Sequence, residues 1–327
     1  MNALQTITII TITVLLLSFI IMTLFTNFFS NVVETSQNEF YHQIFPKDEK
    51  KIYLIGSSHT GHLNETYVQE TYIDPDSNYK IYNLARGDDT PKIRLAYIDD
   101  IVQSKPQIVF YGVGYRDFSE EVSKNKITES VPVMPDPSYY FKEIITTTNE
   151  LLGIESDTLH SPQIITRYFL HTLLQNENEK FVSSEIFGTS TKPFYAYNKY
   201  QELIKTDYAL KIESEENPFS LDSRHQNDQI MALKQMLTKF KENNINVVVF
   251  TTPNTKYYID SLDESDKQNF DSIIQNILDE FAIPVYIFNN KYLDETIWYD
   301  FEHVALGGEE ITFNQDFGKI IQLEIER

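Results

Sequence analysis

Two short patterns in this chain hold side chains able to do acyl chemistry. The first is Gly56-Ser57-Ser58-His59, set directly after the apolar run Ile52-Tyr53-Leu54-Ile55. A serine hydroxyl is a weak nucleophile until a base removes its proton and a third group orients that base. The second pattern, Asp300-Phe301-Glu302-His303, supplies a base and a carboxylate three residues apart. Side chains at i and i+3 of one turn lie on the same side. Asp300 can therefore accept a hydrogen bond from one ring nitrogen of His303 and leave the other free to act as base. Of the seven histidines, His42, His160, His171 and His225 stand apart from both patterns. His59 and His62 are next to the serines, but adjacency in sequence does not make them face the hydroxyls. An α/β-hydrolase would show Gly-x-Ser-x-Gly with the nucleophile in mid-chain. Here Thr60 takes the place of the second glycine, so that pattern is excluded.

These patterns need a scaffold, and the chain supplies one. Short apolar runs at Ile52–Ile55, Lys80–Tyr82, Ile108–Tyr111, Val247–Thr251 and Val285–Phe288 read as buried parallel strands. Ile230, Leu233, Leu237 and Phe240 recur at helical spacing before the Val247 run, and Phe270, Ile273, Ile274, Ile277 and Phe281 do so before the Val285 run. Helices alternating with strands in this way predict a doubly wound α/β fold: a three-layer sandwich with a mostly parallel central sheet. Between about 118 and 222 the strand signal fades. Pro132, Pro135 and Pro137 mark a loop, and a helix is expected after Pro162 with Ile164, Ile165, Tyr168, Phe169 and Leu173 on one face. This stretch reads as a helical insertion, either a cap over the site or a decoration away from it.

The first 33 residues carry no charged side chain, and Ile7 to Phe29 is a nearly continuous apolar run. About 20 such residues cross a bilayer core. A cleaved signal peptide would call for a basic start and a small-residue cleavage site, and neither is evident. The expected organisation is an N-terminal transmembrane anchor over 1–33, a polar stalk over 34–51 and a catalytic domain over 52–327, outside the cytoplasm. The formal net charge of −21 argues against nucleic-acid binding. The absence of cysteine excludes disulfides, thiolate nucleophiles and Cys-ligated zinc. Asp74/Asp76, Asp88/Asp89, Asp99/Asp100 and the acidic stretch 213–217 lack the ligand spacing of a calcium loop and read as solvated faces. No metal or cofactor is expected. Asn64-Glu65-Thr66 is a glycosylation sequon.

Taken in order, four blocks resemble the SGNH (GDSL-type) hydrolase superfamily. Its members carry a serine at the end of the first strand, a glycine after the second, a Gly-x-Asn-Asp-like turn after the third and Asp-x-x-His near the C-terminus. Ser58 is similar in place to the nucleophile, with Ser57 where the family has aspartate. Gly87 matches the second block, Gly114 and Asp117 the third, and Asp300 with His303 the last, followed by Gly307-Gly308. The resemblance implies a Ser58–His303–Asp300 triad, with the N–H groups of Ser58 and Gly87 facing the oxyanion. Arg116 stands where the family has asparagine. It is expected either to donate to the oxyanion in its place or to pair with a carboxylate. His59 and Gly114 are expected at the substrate. Gly-Ser-Ser together with the anchor is similar to membrane proteins that help O-acylate surface polymers, such as the lipoteichoic-acid D-alanylation protein and alginate O-acetylation proteins. That likeness implies an esterase, deacylase or O-acyltransferase acting on surface glycans or polymers, with a membrane acyl-donor protein as a partner. The rival reading is a catalytically inactive surface protein that keeps the fold to bind glycan or a protein partner.

Overall fold

The five apolar runs form one parallel sheet. The computed structural model describes residues 40–119, 191–195, 199–216, 221 and 227–327. Its strands are β1 (Lys50–Ile55), β2 (Tyr79–Asn83), β3 (Ile108–Val113), β4 (Asn246–Thr251) and β5 (Val285–Tyr286), in the spatial order β2-β1-β3-β4-β5. The register pairs Ile52 with both Ile81 and Ile108, and Val109 with Val247, so β1 and β3 are interior strands. β3 is buried along its whole length, and β1 from Lys51 on, because both faces are covered.

Successive side chains of a strand point to opposite faces, and two cores follow from this. Tyr53, Ile55, Val109, Tyr111 and Val249 join one core; Ile52, Leu54, Phe110, Val248 and Phe250 join the other. The helices are α1 (Ser58–Gly61), α2 (Glu65–Tyr72), α3 (Pro91–Leu95), α4 (Ile98–Gln103), α5 (Asp207–Glu216), α6 (Asp228–Glu242), α7 (Lys256–Ser261), α8 (Glu264–Phe281) and α9 (Thr312–Glu326). The apolar stripes of α4, α6 and α8 fill the first core, and those of α2 and α9 the second. The result is helix, sheet and helix in three layers.

Local signals set the ends of the two helices read from periodicity. Asn227 caps α6 by accepting from the N–H groups of Gln229 and Ile230 at 2.9 and 3.3 Å. The chain leaves α8 through Ala282 in the left-handed region (φ 52°) just before Ile283-Pro284. β5 is shorter than the run suggests. The Phe288 and Asn289 N–H groups donate to Thr251 Oγ1 at 2.7 and 3.1 Å, so a side chain replaces the ladder there.

One boundary is revised. Phe40 and Tyr41, placed in the polar stalk by sequence, are buried in the first core, and Lys50 and Lys51 already belong to β1. Phe40 packs edge-on against Tyr82 and Phe194, which makes 40–51 part of the domain. Residues 1–39, including the expected anchor, lie outside the described residues. Among the described residues no helix is long and apolar enough to cross a membrane. An antiparallel bridge between Ser119 and Leu221 joins the two ends of the insertion. Most of its interior, with the helix expected after Pro162, also lies outside the described residues.

Candidate active site

β1 delivers its chain end into a turn that only glycine accommodates. Gly56 has φ +153°, and a Cβ there would come within 2.4 Å of Thr60 Oγ1 and 2.9 Å of the Gly112 carbonyl. The turn places Ser57 just ahead of α1 and makes Ser58 its first residue. Ser58 Oγ then lies 2.7 Å from His303 Nε2 across 245 positions of sequence.

His303 is presented by a narrow hairpin. Trp298 and Val304 form an antiparallel bridge, the Ala305 N–H donates to Ile297 O, and the Tyr299 N–H donates to His303 O. Asp300 sits at the tip. Its Oδ1 accepts from the N–H groups of Glu302 (2.9 Å) and His303 (2.7 Å), an Asx-type turn that fixes the carboxylate. That carboxylate lies 2.9 and 3.0 Å from His303 Nδ1 through its two oxygens. With Nδ1–H donating to Asp300, the Nε2 lone pair is left for the Ser58 hydroxyl. From the far side Thr255 Oγ1 donates to Phe301 O at 2.8 Å, and two N–H···O bonds, Leu306 to Gln201 O and Lys205 to Trp298 O, tie the hairpin to the returning end of the insertion.

Burial opposes the charged forms of both Asp300 and His303, but their mutual attraction and hydrogen bonds outweigh it. Asp300 is held below the usual carboxylate range and His303 is raised above that of free imidazole. Two further histidines stack on this ring. His59 stacks on it at 4.4 Å between centroids and 28° between planes, and His62 at 4.8 Å and 29°. Burial first, and the neighbouring His303 second, push His59 well below its ordinary value and His62 down to about 3. Both are neutral. His62 Nδ1–H donates to the Val304 carbonyl at 2.5 Å, which fixes its tautomer and clamps the backbone next to His303. His59 Nδ1 lies 3.2 Å from Ser57 Oγ. Sequence reasoning missed His62, although its place four residues after Ser58 was a signal.

The other expected site residues fall as follows. Gly87 is exposed in the loop after β2, and that loop is tied to the serine turn by the Arg86 N–H donating to Gly56 O at 3.1 Å. The loop is held from below by Arg94, which is fully buried and donates from Nε to Asp89 Oδ2 (2.8 Å), from Nη2 to Leu84 O (2.8 Å) and from Nη1 to the Tyr41 hydroxyl (3.2 Å). Arg116 is half exposed and its Nη1 donates to Glu302 Oε2 at 3.2 Å, so of its two expected roles the structure places it on a carboxylate. Burial raises Glu302 against the pull of Arg116. Sequence reasoning named Glu302 only as a spacer. Gly114 is buried, and its N–H donates to Asp117 Oδ2 at 2.7 Å.

The Asn64 of the sequon is committed to structure. Its Oδ1 caps α2 by accepting from the Tyr67 N–H (3.0 Å), and its Nδ2 donates to Gly307 O (2.9 Å). Three members of the acidic pairs are ion-paired: Asp89 with Arg94, Asp99 with Lys239, Asp100 with His42.

No protein-family model matches the chain, and no curated protein matches it. Among solved structures it is similar to a GDSL-like lipase from Bacteroides thetaiotaomicron. The identity is 12%, over 92% of this chain and 98% of that one, with a TM-score of 0.41. It is also similar to a cellulose synthase subunit Z from Clostridioides difficile, at 12% identity over 74% and 91% of the two chains, with a TM-score of 0.17. Both likenesses are distant.

Proposed function

We propose that this chain is an SGNH-type serine esterase, deacylase or O-acyltransferase. In this reading residues 1–33 anchor it in the membrane, its domain lies outside the cytoplasm, and its substrates are acylated surface glycans or polymers. The observation that carries the chemistry is the continuous line Ser58 Oγ–His303 Nε2–Asp300, at 2.7 and 2.9 Å. Ser58 Oγ attacks the acyl carbonyl while His303 Nε2 takes its proton, and Asp300 steadies the imidazolium. The oxyanion is met by the N–H groups of Ser58 and Gly87, while Arg116 stays paired with Glu302. Collapse breaks the ester bond, and His303 returns the proton to the leaving oxygen. A second hydroxyl, from water in hydrolysis or from a sugar in transfer, gives its proton to His303 and takes the acyl group from Ser58. The transfer branch calls for a membrane acyl-donor protein.

The test is acetate release from 4-nitrophenyl acetate and from an O-acetylated polysaccharide by the full chain in mild detergent. Turnover that falls about 10⁴-fold or more in Ser58→Ala supports the reading. The Arg116–Glu302 pair favours the second reading, an inactive glycan binder. Absence of both release and transfer to added glycerol, with glycan retained on an affinity gel, would establish that reading instead.

A further inference from the structure

We propose that His59, Glu302 and His303 form a binding site for a divalent transition cation such as Zn2+ or Co2+, and that its occupation silences Ser58. One ligand atom from each of the three residues lies within 4.8 Å of the other two. Two imidazoles and one glutamate are a ligand set used for zinc, with further positions left open. Zn–N bonds are about 2.0–2.1 Å long, so the three groups need to draw in by about 1 Å, and the His59 ring must turn out of its stack on His303 for both lone pairs to meet one cation.

Each ligand has an atom to offer. His59 is buried to 9% exposure, its Nδ1 is taken by Ser57 Oγ, and its Nε2 has no hydrogen-bond partner among the described residues. Glu302 is buried to 6% exposure; Oε2 meets Arg116, and Oε1 has no such partner. His303 offers Nε2, because Nδ1–H donates to Asp300. Histidines that bind metal characteristically donate their other ring N–H to an oxygen, and Ser57 and Asp300 provide that oxygen for the two rings. Local charge agrees: the carboxylates of Glu302 and Asp300 are joined by Asp88 near Arg116. Imidazole with carboxylate suits Zn2+, Co2+ and Ni2+ better than Mg2+ or Ca2+.

Inhibition follows from one lone pair. His303 Nε2 cannot hold a cation and also accept the Ser58 proton at 2.7 Å. Binding of the cation does not rest on the esterase reading; only the inhibition does.

The test is Co2+ titration of the full chain, purified without a histidine tag, followed by its visible d–d absorption. One equivalent with four- or five-coordinate bands is expected. The bands should be lost in His59→Ala and weakened roughly 10-fold or more in Glu302→Gln and Ser57→Ala. They should be unchanged in His42→Ala. Arg116→Gln, which frees Glu302, should tighten binding. Circular dichroism identifies any variant that fails to fold, and His59→Gln then replaces His59→Ala. Absence of stoichiometric bands, or bands that survive in both His59 and Glu302 variants, would overturn the site. Separately, Zn2+ should block active-site labelling of Ser58, and EDTA should restore it. Co2+ binding without such a block would overturn the silencing.

Discussion

At the scale of single residues the account rests on Asp300 and His303. Asp300 holds His303 in the tautomer that leaves Nε2 free for Ser58. Asp300→Asn is expected to keep the fold and lower kcat by about 10³–10⁴-fold, measured on a soluble ester. The pH dependence has a definite sign. His303 works as a base only when neutral, and its folded pKa is raised above 6.5, with burial opposing and Asp300 prevailing. kcat/KM should therefore rise with pH along a limb centred above 6.5, and removing Asp300 should move that limb to lower pH. A limb that stays put in Asp300→Asn would show that another group is titrating. Ser58, Asp300 and His303 were legible in sequence because each belongs to a short local pattern. The stack of His59 and His62 on His303 was not, since it depends on a contact across some 240 residues that only the folded sheet creates.

At the scale of elements the site is the meeting of a strand end with a hairpin. Gly56→Ala would force a side chain into φ +153° and against Thr60 and the Gly112 carbonyl. A loss of about 1–3 kcal/mol in urea unfolding is expected, with labelling of Ser58 lost in parallel. Asp117 gives a second test. Burial pushes it up to about 7 from its ordinary 3.8, against the Gly114 N–H bond that favours the anion. A raised acid pKa means that the folded state holds the proton longer than the unfolded state. Stability should then fall as pH climbs from about 4 to about 7, and that part of the fall should vanish in Asp117→Asn. Urea midpoints at pH 5 and pH 8 measure it; equal slopes in both proteins would contradict the assignment. The five strands were legible because parallel strands buried on both faces read as plain apolar runs. Their ends were not. β1 begins at Lys50 and Lys51, whose polar heads hide strand character, and β5 stops where Thr251 takes over its hydrogen bonding.

At the scale of the whole molecule, Ser58 lies at the carboxyl end of β1, whereas the core is joined from the N-terminal side at Phe40. The packed domain thus starts only a few residues after the apolar stretch 1–33, leaving little chain for a stalk. The full chain is expected to stay with membranes through carbonate extraction, and a chain beginning at Ser36 is expected to be released with its fold intact. Release of the full chain would contradict the anchor. The expected insertion rests on a break in the α/β rhythm of the sequence. The bridge between Ser119 and Leu221 that closes it was not legible, because no local pattern marks two single residues that pair across a hundred positions.

The central claim is that Ser58 is an activated nucleophile. Fluorophosphonate labelling, located by peptide mass, tests it most directly. The account expects one label, on Ser58, absent from Ser58→Ala and strongly reduced in His303→Ala. No label on a folded protein, or a label on Ser58 indifferent to His303, would contradict it.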